Sequence, residues 1–218
     1  IKPYLDNLLS LPLNAQNLEL LTRILDDKKI WSEKMALAIA KKINDEIEAR
    51  VHPTLIPKEH PLASINGIFN AVYLDADPQG EVLLSGKGAG QFAAASGALS
   101  DLINLFSHGQ TAKLLSNYVS DEDALKLRSI DQIQTKFYLR FMAQDKVGVL
   151  SKITGVLGEH NVGINSVTQK EHSQTSSVPV IMLTDYTTEK NLRDALTMIQ
   201  TLGIVKTKPV AIRMENLR

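Results

Sequence analysis

Cysteine is absent from the 218-residue sequence, which excludes disulfides and thiolate metal ligands. The absence fits a reducing cytoplasm, the expected location. Charge of one sign is not in excess either, because 24 Lys plus Arg balance 24 Asp plus Glu. Without that excess, no electrostatic pull toward nucleic acid or an anionic membrane is expected, and small molecules and other subunits are the expected partners. No apolar run approaches the roughly 18 residues that span a bilayer. The N-terminus lacks the basic-then-apolar layout of a secretory signal. The five histidines, His52, His60, His108, His160 and His172, are not spaced to share a metal-binding face, so no metal is expected. No Ser-His-Asp or paired-carboxylate arrangement follows from spacing, and the residues name no nucleophile or other catalytic group.

What is present falls into two unlike halves. Residues 14–27, NAQNLELLTRILDD, read as a helix capped by Asn14, with Leu18, Leu21 and Leu25 at helical spacing. Residues 34–42 and 46–56 read as a hairpin about Asn44-Asp45, and 67–76 with 81–85 as a second hairpin about DPQG. A helix is expected from about Ala89 to Ser107, with Phe92, Ala95, Leu99, Leu102, Ile103 and Phe106 on one face. The polar stretch 107–134 reads as a connection.

Beyond residue 135 the pattern is sharper. KFYLRFMA alternates as a half-buried strand does, with Phe137, Leu139, Phe141 and Ala143 on one face. A helix from Val149, strands over 161–171 and 177–185, a helix capped by Thr188 and a strand over 203–214 follow. The order is βαββαβ, a ferredoxin-like arrangement of two helices on an antiparallel sheet. Pro179 inside the third strand predicts an edge or a bulge there.

Three features carry candidate chemistry. The run Gly86-Lys87-Gly88-Ala89-Gly90 follows a strand and opens a helix, where free amides can hold an anion. Its spacing is G-x-G-x-G, residue 91 is Gln, and neither a dinucleotide fingerprint nor a Walker loop results. A structural tight turn and a backbone that lets a flat ligand approach both remain open. His52, in Val51-His52-Pro53-Thr54, is either a general base or a hydrogen-bonded strand residue. The loop Asp145-Lys146-Val147-Gly148-Val149-Leu150 joins a strand to a helix N-terminus, which can receive a carboxylate. With Asn161-Val162-Gly163-Ile164-Asn165 from an adjacent subunit it could enclose a small zwitterion. The plainer alternative is that the glycines only allow turns and Asp145 only caps.

The succession ALAIAKK, ARVHPTLIPKEHPLASINGIFNAV and LLSGKGAG with its trailing Ser-x-x-x-Ser-Asp-Leu resembles the substrate domain of homoserine dehydrogenase over residues from about 12 to 107. The segment KFYLRFMAQDKVGVLSKITGVLGEHNVGINSV resembles an ACT domain, the amino-acid-binding regulatory module that follows that enzyme in many bacteria. The resemblance implies an α+β chain in three parts. Residues 1–110 are a partial substrate and dimerisation domain, 111–134 a linker, and 135–218 a ferredoxin-like ACT domain. It also implies a homo-oligomer, dimer or tetramer, built on NAD(P)-dependent interconversion of L-homoserine and L-aspartate 4-semialdehyde. Gly88, Ala89 and Gly90 would lie beside the nicotinamide half of NAD or NADP. Asp145, Gly148, Val149 and Asn165 would bind an amino-acid effector, with threonine the expected inhibitor. The family's dinucleotide-binding domain and catalytic lysines lie upstream of the matched portion, so the chain reads as a C-terminal fragment, inactive alone. Gln91 to Ala94 replace a segment that in the family usually contains Pro-Thr, and the first ten residues match poorly. A stand-alone amino-acid sensor or dimerisation module is the alternative reading.

Overall fold

The computed structural model describes residues 31–107, 125–169 and 177–216. The helix expected over 14–27, most of the connection and His108 and His172 lie outside the described residues. The described residues form two compact units, 31–57 with 126–216, and 58–107 with 125.

The first unit is built on one eight-stranded sheet. Strands β1 (Trp31–Ile43) and β2 (Glu46–Pro57) form the first expected hairpin. It turns at Asn44, whose φ of 55° is the left-handed conformation that Asn tolerates better than most residues. β5 (Lys126–Leu127) adds briefly to β2. The remainder is β6 (Gln134–Gln144), α2 (Val149–Glu159), β7 (Ile164–Gln169), β8 (Ser177–Thr184), the two-residue β9 (Thr187–Thr188), α3 (Glu189–Thr201) and β10 (Val210–Met214). The order across the sheet is β1-β2-β10-β6-β8-β7. Its last four strands are mutually antiparallel and have the ferredoxin-like order that the βαββαβ pattern predicts. Thr188 caps α3 as expected, its hydroxyl accepting from the Asn191 amide at 3.2 Å. Leu192, Ala195 and Ile199 of α3 and Val149, Ile153, Val156 and Leu157 of α2 pack with Phe137, Leu139, Phe141 and Ala143 of β6 into one core.

Three expectations are corrected. β8 is an interior strand between β6 and β7, not an edge. At Pro179 itself, however, only Met142 of β6 is paired, because the β7 register ends at Gln169 opposite Val180. Among the described residues the imino nitrogen can therefore face an open side of the ladder. The last strand begins at Val210 rather than 203: Gly203 has a φ of 63°, Pro209 lacks an amide, and the intervening chain makes one bridge, Val205 to Ala143. β6 is buried on both faces, not one. Tyr138 is 1 % exposed and joins Leu55, Ile181, Ile212 and Met214 in a second apolar cluster on the face away from the helices.

That second face carries an anomaly. Arg140 is buried, and neither its Nε nor its Nη1 has a hydrogen-bond partner; the neighbouring Tyr138 hydroxyl also has none. Burial pushes that hydroxyl up to about 12. A buried guanidinium with two nitrogens unpartnered among the described residues is costly, and an unbranched apolar side chain of similar length removes the desolvation cost. Arg140→Met is expected to stabilise the protein by about 1–3 kcal/mol. A urea midpoint that falls in the variant would contradict it.

In the second unit a short 3-10 turn (Pro61–Ser64) is capped by His60, whose Nδ1 accepts from the Leu62 amide at 3.2 Å. β3 (Phe69–Ala76) and β4 (Gly80–Lys87) form the second expected hairpin. The His60 ring meets Tyr73 of β3 edge-on, with centroids 4.6 Å apart. α1 spans Gln91–Ser107. It starts two residues later than expected because Gly90 has a φ of 122°, outside the helical region. Its apolar stripe is uncovered: Phe92 is 88 % and Phe106 87 % exposed.

Candidate functional site

Two regions hold the residues singled out from the sequence, one in each unit. In the second unit Gly88, Ala89 and Gly90 form the exposed turn between β4 and α1. The Gly88 amide donates to the Ile68 carbonyl at 2.8 Å, which ties the turn back to the start of β3. A Cβ on Gly88 would fall on the Asn70 carboxamide, so a glycine lets Asn70 lie over the turn. At Gly86 and Gly90 nothing stands within 4 Å of where a Cβ would be. The result is an exposed turn that is bare at Gly86 and Gly90 and carries the Asn70 carboxamide at Gly88.

In the first unit the loop from β6 to α2 borders a cleft of about 210 Å³. Asp145, Gly148 and Val149 line it together with Lys146, Val178 and Gln169. Gly148, with a φ of 84°, is the residue before α2, so the capping position brings no side chain of its own. The first-turn amides of a helix form a positive terminus, here facing the loop. Gln169 and Val178 were not foreseen. They come into place through sheet register, which sets Val178 opposite Ala143 and Gln169 opposite Val180. Asn165 is not in the cleft of its own chain. It is exposed on β7, at the shift in register between Ile164 and Ser166.

A third constellation, unexpected from the sequence apart from His52, fills the interior where the first hairpin meets the rest of the sheet. Glu48, Arg50, His52 and Thr54 alternate along β2 and are all buried, with Thr54 0 % exposed. Arg50 donates from Nε to Glu48 at 2.7 Å and from Nη2 to Glu215. Its Nη1 lies 3.0 Å from His52 Nε2. A guanidinium only donates, so Nε2 accepts and the ring proton sits on Nδ1, 2.9 Å from the Thr54 hydroxyl. Burial, with the charges of Arg213 and Arg50, pushes His52 down to about 3. His52 is thus a neutral, hydrogen-bonded strand residue, the structural alternative of the two open readings. For Glu215, burial would raise the carboxyl, but Lys41 at 2.8 Å and Arg50 hold it below the usual carboxylate range.

Comparison with known proteins places both units. The homoserine dehydrogenase family model matches residues 15–103 and the ACT domain model residues 137–198. Curated homoserine dehydrogenases of Neisseria gonorrhoeae and Helicobacter pylori are each 34 % identical, over 186 and 180 residues. Each match takes in 83 % of this chain and 43 % and 42 % of the respective relative. The solved homoserine dehydrogenase of Thiobacillus denitrificans is 30 % identical with a TM-score of 0.74, over 90 % of this chain and 45 % of its own. The enzyme of S. aureus at pH 6.5, 19 % identical with a TM-score of 0.54, shares the fold. The chain thus spans somewhat less than half the length of the relatives it matches. Over residues 15–103 it belongs to the homoserine dehydrogenase family, and over residues 137–198 to the ACT domain family.

Proposed function

We propose that this chain is the substrate-domain and regulatory part of an NAD(P)-dependent homoserine dehydrogenase, and that the cleft beside α2 binds an amino-acid effector, L-threonine. The observation that carries the effector reading is the N-terminus of α2, which opens behind Gly148 onto a cleft of about 210 Å³. That volume lies below the roughly 300–1,000 Å³ of sites for drug-sized ligands and suits a free amino acid. The helix amides would receive the effector carboxylate, Asp145 would face its ammonium, and Val149 would contact its side chain. Asn165, on the open strand β7, would contribute from a second copy of the chain in a homo-oligomer.

A nicotinamide, when bound, supplies the hydride acceptor or donor of the dehydrogenase reaction. Gly88, Ala89 and Gly90 would meet one face of such a ring, because the turn is exposed and Gly90 is open, with the Asn70 carboxamide beside Gly88. They would serve as a wall for the ring and not as a cradle for the pyrophosphate. With no catalytic residue assigned to it, the 218-residue chain is expected to be inactive alone in the cytoplasm or in the assay tube.

Isothermal calorimetry of the chain with L-threonine, against L-isoleucine, L-methionine and L-serine, tests the effector site. Saturable binding of threonine, lost in Gly148→Val and weakened in Asp145→Asn and Asn165→Ala, is expected. Equal heats for the Gly148→Val variant and the parent would exclude this cleft.

A further inference from the structure

The first hairpin lies inside the homoserine dehydrogenase match, whereas the strand it pairs with follows the ACT match. The two are joined by a narrow backbone seam and by Leu55, which packs with Tyr138, Ile181, Ile212 and Met214. β2 and β10 run parallel and register at only two pairs, Arg213 with Thr54 and Met214 with Leu55. The Glu215 amide then donates to the Leu55 carbonyl at 3.0 Å. Parallel pairing is no stronger per residue than antiparallel, and an isolated hairpin is at best marginally stable.

The side chain of Glu215 extends that seam across three strands. It accepts from Lys41 Nζ of β1 at 2.8 Å, from Arg50 Nη2 of β2, and from the Thr135 hydroxyl of β6 at 3.2 Å. Glu215 is 5 % exposed and Arg50 6 %, so their pairing is shielded from solvent and salt. Arg50 in turn engages Glu48 and His52 of its own strand. Remove the carboxylate and, among the described residues, Arg50 keeps Glu48 as its anionic partner, while Lys41 loses its acceptor.

We propose that Glu215 is a latch: the residue that makes the hairpin and the ACT fold one cooperative unit, so that stabilisation of the ACT fold reaches strand β2. The boundary of cooperativity then falls at Pro57, inside the dehydrogenase match, and not at the linker. At that point the chain leaves for the unit that holds the Gly88 turn.

Hydrogen exchange on the 218-residue chain tests this, with Leu192→Ala as a perturbation placed in the ACT core. With Glu215 present, Leu192→Ala should speed exchange of the slowest amides in β2 and in α2 by the same factor. In Glu215→Ala, β2 amides should exchange at least ten-fold faster while α2 amides are unchanged, and adding Leu192→Ala should then affect α2 alone. Equal acceleration of β2 and α2 in Glu215→Ala, or a β2 indifferent to Leu192→Ala in the parent, would overturn the latch. Should Glu215→Ala not fold, Lys41→Met and Glu215→Gln keep an acceptor for Arg50 and should give a smaller acceleration, still confined to the hairpin. Acceleration that spreads to α2 overturns the proposal there too. L-Threonine, which rests on the effector reading above, should protect α2 and β2 in the parent and α2 alone in Glu215→Ala. Absence of protection at α2 counts against that reading, whereas the threonine-free comparison decides the latch.

Discussion

Phe141→Ala is expected to destabilise the protein by about 3–5 kcal/mol, seen as a fall in the urea midpoint at an unchanged m value. Phe141 is 0 % exposed at the centre of β6, in the cluster that holds Ile153, Leu157 and Ile199 of the two helices. Truncating it removes the transfer energy of the ring and leaves a cavity that two helices and a sheet cannot easily close. That loss is a large share of the roughly 5–15 kcal/mol that hold an ordinary domain folded. Phe92→Ala is the matched comparison. Its ring is 88 % exposed, so the same truncation should change the midpoint by no more than about 0.5 kcal/mol. If the two variants lost equal stability, the division between covered core and bare helix described here would be wrong.

Acid should unfold the protein in steps that begin well above the usual carboxylate range. His52 has a folded pKa of about 3 against an ordinary 6.5. The unfolded chain therefore binds a proton below pH 6.5 that the folded chain refuses. A group with a depressed folded pKa contributes stability that is whole above 6.5 and is lost as pH falls from there toward 3. With one proton worth about 1.4 kcal/mol per pH unit, the loss is on the order of 4 kcal/mol across the window. Glu215 adds to it at the lower end: its carboxyl is held below the ordinary 4.5, and its contribution disappears as pH falls through that range. The charges that face His52 are Arg213, Arg50 and Glu215. They change the balance only when Glu215 takes up its proton. His52→Gln keeps an acceptor for Arg50 and cannot titrate. Subtracting its stability curve from the parent's between pH 7 and 4 isolates His52. A difference that is flat with pH would mean that the ring titrates normally in the folded protein.

Much of the local structure is legible in residue pattern. The helices α2 and α3 show an apolar stripe at helical spacing, and Thr188 announces the cap that it makes. Asn44 and DPQG mark the two hairpin turns. The loop from Asp145 to Val149 is legible as one side of a cleft because its residues are consecutive. The opposite side, Val178 and Gln169, is not, since it depends on which strand lies beside β6. Asn165 stands near the start of β7, whereas the β7 residue that lines the cleft is Gln169, at its other end.

β2 shows the division most clearly. Its alternation in EIEARVHPTLIP predicts a strand, and a strand it is. Alternation alone would turn Val51 inward and Arg50 out, yet Val51 is 64 % exposed and Arg50 is buried. The polar side faces inward because Glu215, 165 positions away, brings to it the carboxylate that Arg50 requires. Residue order by itself determined most of the strands, the helices α2 and α3, the Thr188 cap and the two family relationships, because these depend on neighbours in the chain and on motif. Which face of β2 is buried, and that the hairpin and the ACT strands share one sheet, was decided only by tertiary structure. A buried charge is tolerated only where its partner arrives, and that partner comes from the far end of the chain.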